Sequence, residues 1–331
     1  MNRTIPVDSR LPEHLQHPGP ATSMQFNFDR RVADSIPQSW VDRAPLEMRP
    51  YLRLARYDRP IGFWLLALPC WQGLLLARVG TGLGWIDLWY ALLFGLGAIA
   101  MRGAGCTYND IIDRDLDAQI ARTADRPLAA GTLSLKQAWY FLAAQAGVGF
   151  LVLIQLPLLA IGVGLAALLL VAAYPFMKRI TWWPQAWLGL TFNWGVPVGY
   201  VAAAGQIDLA MLALYAAGVM WTLGYDTIYA HQDTEDDALV GVRSTARLFG
   251  TTSQYWVAGF YGANAILVGV AVTLKLASPW FVVVYALYAA HLFNQVRQLD
   301  VNDGAKCLAL FKANRTSGLL LVAALLVASL L

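Results

Sequence analysis

Long apolar stretches recur from Ile61 to the C-terminus, and this repetition limits the fold more than any other feature. A helix crossing a bilayer core needs about twenty mostly apolar residues. The stretches are Ile61–Ala77, Trp89–Gly105, Ala138–Leu153, Leu158–Phe176, Trp187–Ala204, Leu209–Gly224, Tyr255–Leu274, Trp280–Phe293 and Gly318–Leu331, the last two being short. They predict an all-α, polytopic membrane bundle of about nine transmembrane helices. A soluble reading fails on charge: 58% of residues are hydrophobic and 14% charged, too few to coat a water-facing exterior.

The basic residues are distributed unevenly around these spans. Alternating the sides places the chain up to Arg59, Thr107–Gln137, Met177–Ala186, Ala230–Ser253 and Asn294–Ser317 on one face. With Arg102, those segments hold every Lys and Arg except Arg78 and Lys275. The positive-inside rule makes that face cytoplasmic, as a polar cap on the bundle. Residues 1–50 read as a flexible cytoplasmic tail, rich in Pro, Asp, Arg and Gln, and 51–331 as the membrane domain. The tail lacks the apolar run of a secretory signal, and Asp8, Glu13, Asp29 and Asp34 are unusual for a mitochondrial transit segment. A bacterial inner membrane is therefore favoured, with the mitochondrial inner membrane as the alternative. The chain has no basic, aromatic-interleaved run for nucleic acid, and no protein partner is evident. Cys70, Cys106 and Cys307 have no metal-ligand or disulfide spacing and are expected to pack in the core.

Chemistry concentrates in two acidic clusters. The first is Tyr108-Asn109-Asp110-Ile111-Ile112-Asp113-Arg114-Asp115-Leu116-Asp117, where a membrane helix ends. On a continued helix Asn109, Asp113 and Asp117 share a face, and Asp110 joins it. The second runs from Tyr225 to Asp237, where Asp233 and Asp237 repeat the i, i+4 spacing at the same membrane face. Carboxylates grouped this way repel unless water or cations separate them. Oxygen ligands beside phosphate-binding cations suit Mg2+ bridging a diphosphate. Arg122, Arg126, Lys178 and Arg179 are the cations available for the remaining phosphate oxygens. Asp115, Glu235 and Asp236 are expected to point into water.

These residues resemble the UbiA superfamily of intramembrane prenyltransferases. Its Asn-Asp-x-x-Asp-x-x-x-Asp motif matches Asn109, Asp110, Asp113 and Asp117, and its Asp-x-x-x-Asp motif matches Asp233 and Asp237. The similarity extends through Asp125–Gly131, Tyr174–Arg179, Trp183–Gln185 and Ser244–Ala246, covering the chain from about Arg53 onward. It implies a helical bundle around a central cavity, with the polyprenyl tail in an apolar groove open to lipid. It also implies Mg2+ and diphosphate held by Asn109, Asp110, Asp113, Asp117, Asp233 and Asp237, and diphosphate contacts from Arg122, Arg126, Tyr174, Lys178 and Asn109. The substrates expected by resemblance are polyprenyl diphosphate and 4-hydroxybenzoate, as in ubiquinone biosynthesis.

Two further residues stand out within apolar stretches. Arg102 is a costly intramembrane cation, fit for a substrate carboxylate or phosphate, or for snorkelling to the interface. Asp226, at a span end, could orient or deprotonate the acceptor phenol. Tyr229 is expected in the interfacial aromatic belt, His231 in a loop, and Asn193 at the cavity or in a helix–helix hydrogen bond. A transporter is the rival of another class, but it would place its acids at mid-span. A membrane alcohol phosphotransferase would carry an Asp-Gly-x-x-Ala-Arg pattern, which the chain lacks.

Overall fold

The computed structural model describes Ser35 and residues 38–120, 123–239, 241–275 and 280–330, without the side chains of Asp233, Glu235, Asp236 and Asp237. Thirteen α-helices and no strand occur among the described residues. They are α1 (Arg49–Leu54), α2 (Ile61–Arg78), α3 (Trp85–Asp117), α4 (Leu135–Leu153), α5 (Leu158–Ile180), α6 (Pro184–Phe192), α7 (Gly195–Ala204), α8 (Leu209–Ala230), α9 (Thr234–Leu239), α10 (Thr245–Phe249), α11 (Ser253–Leu274), α12 (Phe281–Gln298) and α13 (Gly304–Leu330). Within the described residues, each apolar stretch read from the sequence coincides largely with these helices. Among the described residues, six helical segments are long and apolar enough to cross a membrane by length and composition.

Local chemistry sets the helix ends. Ser134 caps α4 in a reciprocal capping box with Gln137, and the Asp208 carboxylate caps α8 by accepting from the Met211 amide at 3.0 Å. Gly205, with φ of 69°, ends α7 in the left-handed conformation that a Cβ disfavours. Helices then pack through small residues, since lipid supplies no hydrophobic drive between them. The closest approach is α2 on α7. A Cβ on Gly199 would lie 2.0 Å from the Cys70 carbonyl oxygen, and one on Gly73 2.2 Å from that of Val196.

A buried polar network ties α8, α11, α12 and α13 together. Trp221 Nε1 donates to Asn314 Oδ1 at 2.7 Å, and Asn314 Nδ2 donates to Gln295 Oε1 at 2.9 Å. The Tyr261 hydroxyl reaches both Gln295 and Asn314, and Gln295 Nε2 donates to the Ser317 hydroxyl at 2.9 Å. Paired polar groups of this kind fix the rotation of a membrane helix, because turning it would strand them in hydrocarbon.

Several expectations need correction. The stretch Trp187–Ala204 is two helices broken at Asn193 and Trp194. The final helix is not short: it begins at Gly304, because Lys306, Lys312 and Arg315 dilute the apolar signal without stopping the helix. Of the two expectations for Asn193 the helix–helix hydrogen bond holds: it is buried and donates to the Gly189 carbonyl and the Thr222 hydroxyl, joining α6 to α8. His231 is not a solvated loop residue. It is buried in a 3-10 turn, 2.8 Å from the Ser253 hydroxyl, and burial holds its pKa below the usual imidazole value. Cys106 and Cys307 are buried and Cys70 half-buried, all three free thiols in packed surroundings.

Candidate active site

Helix α3 continues through the whole first motif, so Asn109, Asp110, Asp113 and Asp117 stand on successive turns of one helix. The motif reaches the same end of the bundle as the α1–α2 connection, the last turn of α5 and the end of α8. That convergence builds a charge-balanced site. Asp110, 1% exposed, accepts from Arg56 at 2.7 Å and from Arg126 at 3.4 Å. Arg126 spans about two helical turns of α3, because it also donates to Asp117 Oδ2 at 2.8 Å. Asp113 is fully buried, with Lys178 Nζ 2.6 Å from one oxygen and an Arg179 nitrogen 3.0 Å from the other. Both cations come from the last turn of α5, where positive charge also meets the negative helix end.

A cavity of about 670 Å³ lies beside this cluster. Arg56, Arg102, Asn109, Asp110, Arg126, Tyr174 and Asp226 line it at the polar end. Its remaining wall is largely apolar, from residues such as Leu65, Phe94, Val152, Leu165 and Val171. A long apolar space closed by a few convergent charges fits an amphiphile with an anionic head. Arg102 stacks its guanidinium over Phe192 at 5.4 Å, and Asp226 lies within its electrostatic reach. Arg102 therefore faces the cavity rather than snorkelling.

Sequence-nominated residues mostly meet here, with specific departures. Asp113 and Asp117 are at the site but do not line the cavity; their cationic partners cover them. Lys178 and Arg179 are 26% and 48% exposed on the side chain, so these covers have room to swing away. Asp115 points outward, 84% exposed and paired with Arg114, as expected. Tyr229 is not a belt residue: it lines the cavity and packs against Phe311, ring centroids 4.4 Å apart. Arg122 and the side chains of Asp233 and Asp237 lie outside the described residues. Among the described residues no three His, Cys, Asp or Glu side chains converge as a ready metal shell. The first motif still fits a hard cation. Its donors are oxygens throughout, and Asp110 Oδ2 is buried without any hydrogen-bond partner.

Comparison with known proteins decides the family. The profile of the UbiA prenyltransferase family matches residues 66–328. The chain belongs to the UbiA prenyltransferase family. Among curated relatives, it is 50% identical over 288 residues to the mitochondrial 4-hydroxybenzoate polyprenyltransferase of Rattus norvegicus, covering 85% of this chain and 75% of that one. The protein of the same description from Homo sapiens is 48% identical over 284 residues, covering 85% and 75%. Among solved structures, the apo UbiA homolog from Aeropyrum pernix K1 superposes with a TM-score of 0.68 at 28% identity, covering 80% of this chain and 97% of that one. A UbiA homolog from Archaeoglobus fulgidus bound to GPP and Mg2+ shares the fold, with a TM-score of 0.61 at 18% identity over 83% and 99%.

The site also contains residues that motif reading missed. Arg56 and Lys312 both line the UbiA-type cavity, one from each end of the sequence. Arg56 carries a left-handed backbone, φ of 61°, and donates to the carbonyls of Arg53 and Leu54 as well as to Asp110. Lys312 stands between Lys306 and Arg315 before the last apolar stretch, where nothing in the local sequence sets it apart.

Proposed function

We propose that this protein transfers a polyprenyl chain from polyprenyl diphosphate to a ring carbon of 4-hydroxybenzoate, the prenylation step of ubiquinone biosynthesis. One observation carries the reading: a buried row of carboxylates, each held by a cation, stands beside a largely apolar cavity of about 670 Å³ that Asp110 lines. That is the layout for a diphosphate head with a hydrocarbon tail. The naming of the curated relatives supports the acceptor. It also favours the mitochondrial inner membrane over a bacterial one, since these relatives are described as mitochondrial.

Arg126, Lys178 and Arg56 bind the phosphate oxygens, Arg126 as a fork and Lys178 as a point charge. Asn109, Asp110, Asp113 and Asp117, with Asp233 and Asp237, would hold magnesium. When bound, the metal supplies Lewis-acid neutralisation of the leaving diphosphate and a template for its orientation. The donor's allylic carbon–oxygen bond breaks with its electron pair on the diphosphate. The apolar wall excludes water from the resulting allylic cation, and aromatic faces such as Tyr174 stabilise it. Arg102 holds the acceptor carboxylate, while Asp226 orients the phenol and draws on its proton. The ring carbon beside the phenol forms the new bond, and a proton leaves that carbon.

The test is prenyl transfer by purified protein in lipid, with 4-hydroxybenzoate and a polyprenyl diphosphate, in the presence of Mg2+ or a chelator. Asp113→Ala and Asp233→Ala are each expected to lower kcat roughly a hundredfold or more, as removal of key transition-state charge stabilisation does. Activity that survives either substitution, or the chelator, refutes the metal-cluster assignment.

A further inference from the structure

Five cationic side chains line the cavity: Arg56, Arg59, Arg102, Arg126 and Lys312. Four have partners. Arg56 and Arg126 bind Asp110, Arg59 binds Asp58 at 3.3 Å, and Arg102 stacks on Phe192. Lys312 makes no hydrogen bond or ion pair among the described residues. It is also exposed while lining the cavity, so it stands at an opening.

The surrounding packing locates that opening. Further along, α13 presses on α2: a Cβ on Gly318 would lie 2.4 Å from Leu68, and Gln72 Nε2 donates to the Gly318 carbonyl at 3.4 Å. Nearer the motifs, Arg59 just before α2 and Ile61 at its start line the cavity together with Leu308, Phe311 and Lys312 of α13. The rotation of α13 is fixed on both sides of Lys312. Phe311 packs on Tyr229 of α8, and Asn314 is held by Trp221 and Gln295. With no acidic partner among the described residues, the Lys312 ammonium is left free to take an anion that reaches the cavity. A side chain held at the mouth, on a flexible stem, is placed to meet an anion entering from the bilayer.

From this geometry we propose that Lys312 is a binding residue for the donor diphosphate, engaging it at the cavity mouth and remaining on it in the bound complex. The proposal rests on the prenyl-transfer reading above for its ligand. The diphosphate is favoured over the acceptor's carboxylate because Arg56, Arg59 and Arg126 line the same end, whereas Arg102 and Asp226 form the acceptor's pair. Loss of one charge-assisted phosphate contact changes affinity roughly tenfold.

The test uses full-length protein in phosphatidylcholine nanodiscs, which carry no net anionic headgroup. Lys312→Gln is expected to raise KM for geranyl diphosphate roughly tenfold with little change in kcat or in KM for 4-hydroxybenzoate. Lys312→Arg should restore most of the donor KM. Binding of the unreactive S-thiolodiphosphate analogue, measured by calorimetry, should weaken by the same factor. An unchanged donor KM and analogue affinity in Lys312→Gln overturns the proposal. So does a rise confined to KM for 4-hydroxybenzoate, which would move Lys312 to the acceptor. Because analogue binding needs no turnover, it decides the role of Lys312 even if the wild type fails to prenylate 4-hydroxybenzoate, a failure that would count against the proposed function alone.

Discussion

Arg126 and Arg56 show what single side chains contribute at the residue scale. Arg126 reaches Asp110 and Asp117 together through one guanidinium nitrogen, and its planar fork leaves the other donors for a phosphate, whereas a lysine ammonium has no such fork. Arg126→Lys is therefore expected to raise the donor KM roughly tenfold, while retaining the positive charge; steady-state kinetics check this. Arg56 and Asp110 are 9% and 1% exposed on their side chains, so removing Arg56 leaves the buried carboxylate only its longer, 3.4 Å contact to Arg126. Arg56→Gln should cost about 3–5 kcal/mol of stability, and adding Asp110→Asn should recover part of it; thermal unfolding of the single and double variants measures both. The first-motif residues were legible in the sequence because one continuous helix turned the i, i+4 spacing into a common face. Arg56 was not, since its link to Asp110 depends on how the α1–α2 connection folds back. Lys312 lies almost two hundred residues after the first motif, and no local spacing joins them.

Helix boundaries and helix contacts were legible to different degrees. Hydropathy located the spans because each bilayer crossing needs an unbroken apolar run. It could not find the break between α6 and α7, where the Asn193 side-chain nitrogen donates to the Gly189 carbonyl and the Thr222 hydroxyl. It also stopped short of α13's true start, since a helix that runs past the hydrocarbon no longer needs to be apolar. Contacts follow from glycines whose purpose appears only in three dimensions. Gly199→Val would drive a side chain into the Cys70 carbonyl and should destabilise the α2–α7 pair by about 1–3 kcal/mol or more. Gly262 in α11 has open space around its Cβ direction, so Gly262→Ala should be neutral or stabilising by up to about 1 kcal/mol. Thermal unfolding in one detergent compares the two, and equal losses would contradict this packing account.

Across the whole molecule, apolar spans bring distant charges to one end, and the cavity behind them is lined mainly by hydrocarbon. Both features follow from the same constraint: polar groups within a bilayer must find partners, so they gather where helices converge. The acceptor was not legible in the spacing of the acids; the resemblance implied it, and the curated relatives carry the same description. The most direct measurement is structural analysis of the product formed from ring-labelled 4-hydroxybenzoate and a polyprenyl diphosphate by the purified, lipid-reconstituted protein. The account predicts a magnesium-dependent product with the prenyl chain bonded to the ring carbon next to the phenol. A prenyl ether, transfer only to a different aromatic acid, or movement of ions or solutes without any prenylated product would contradict it.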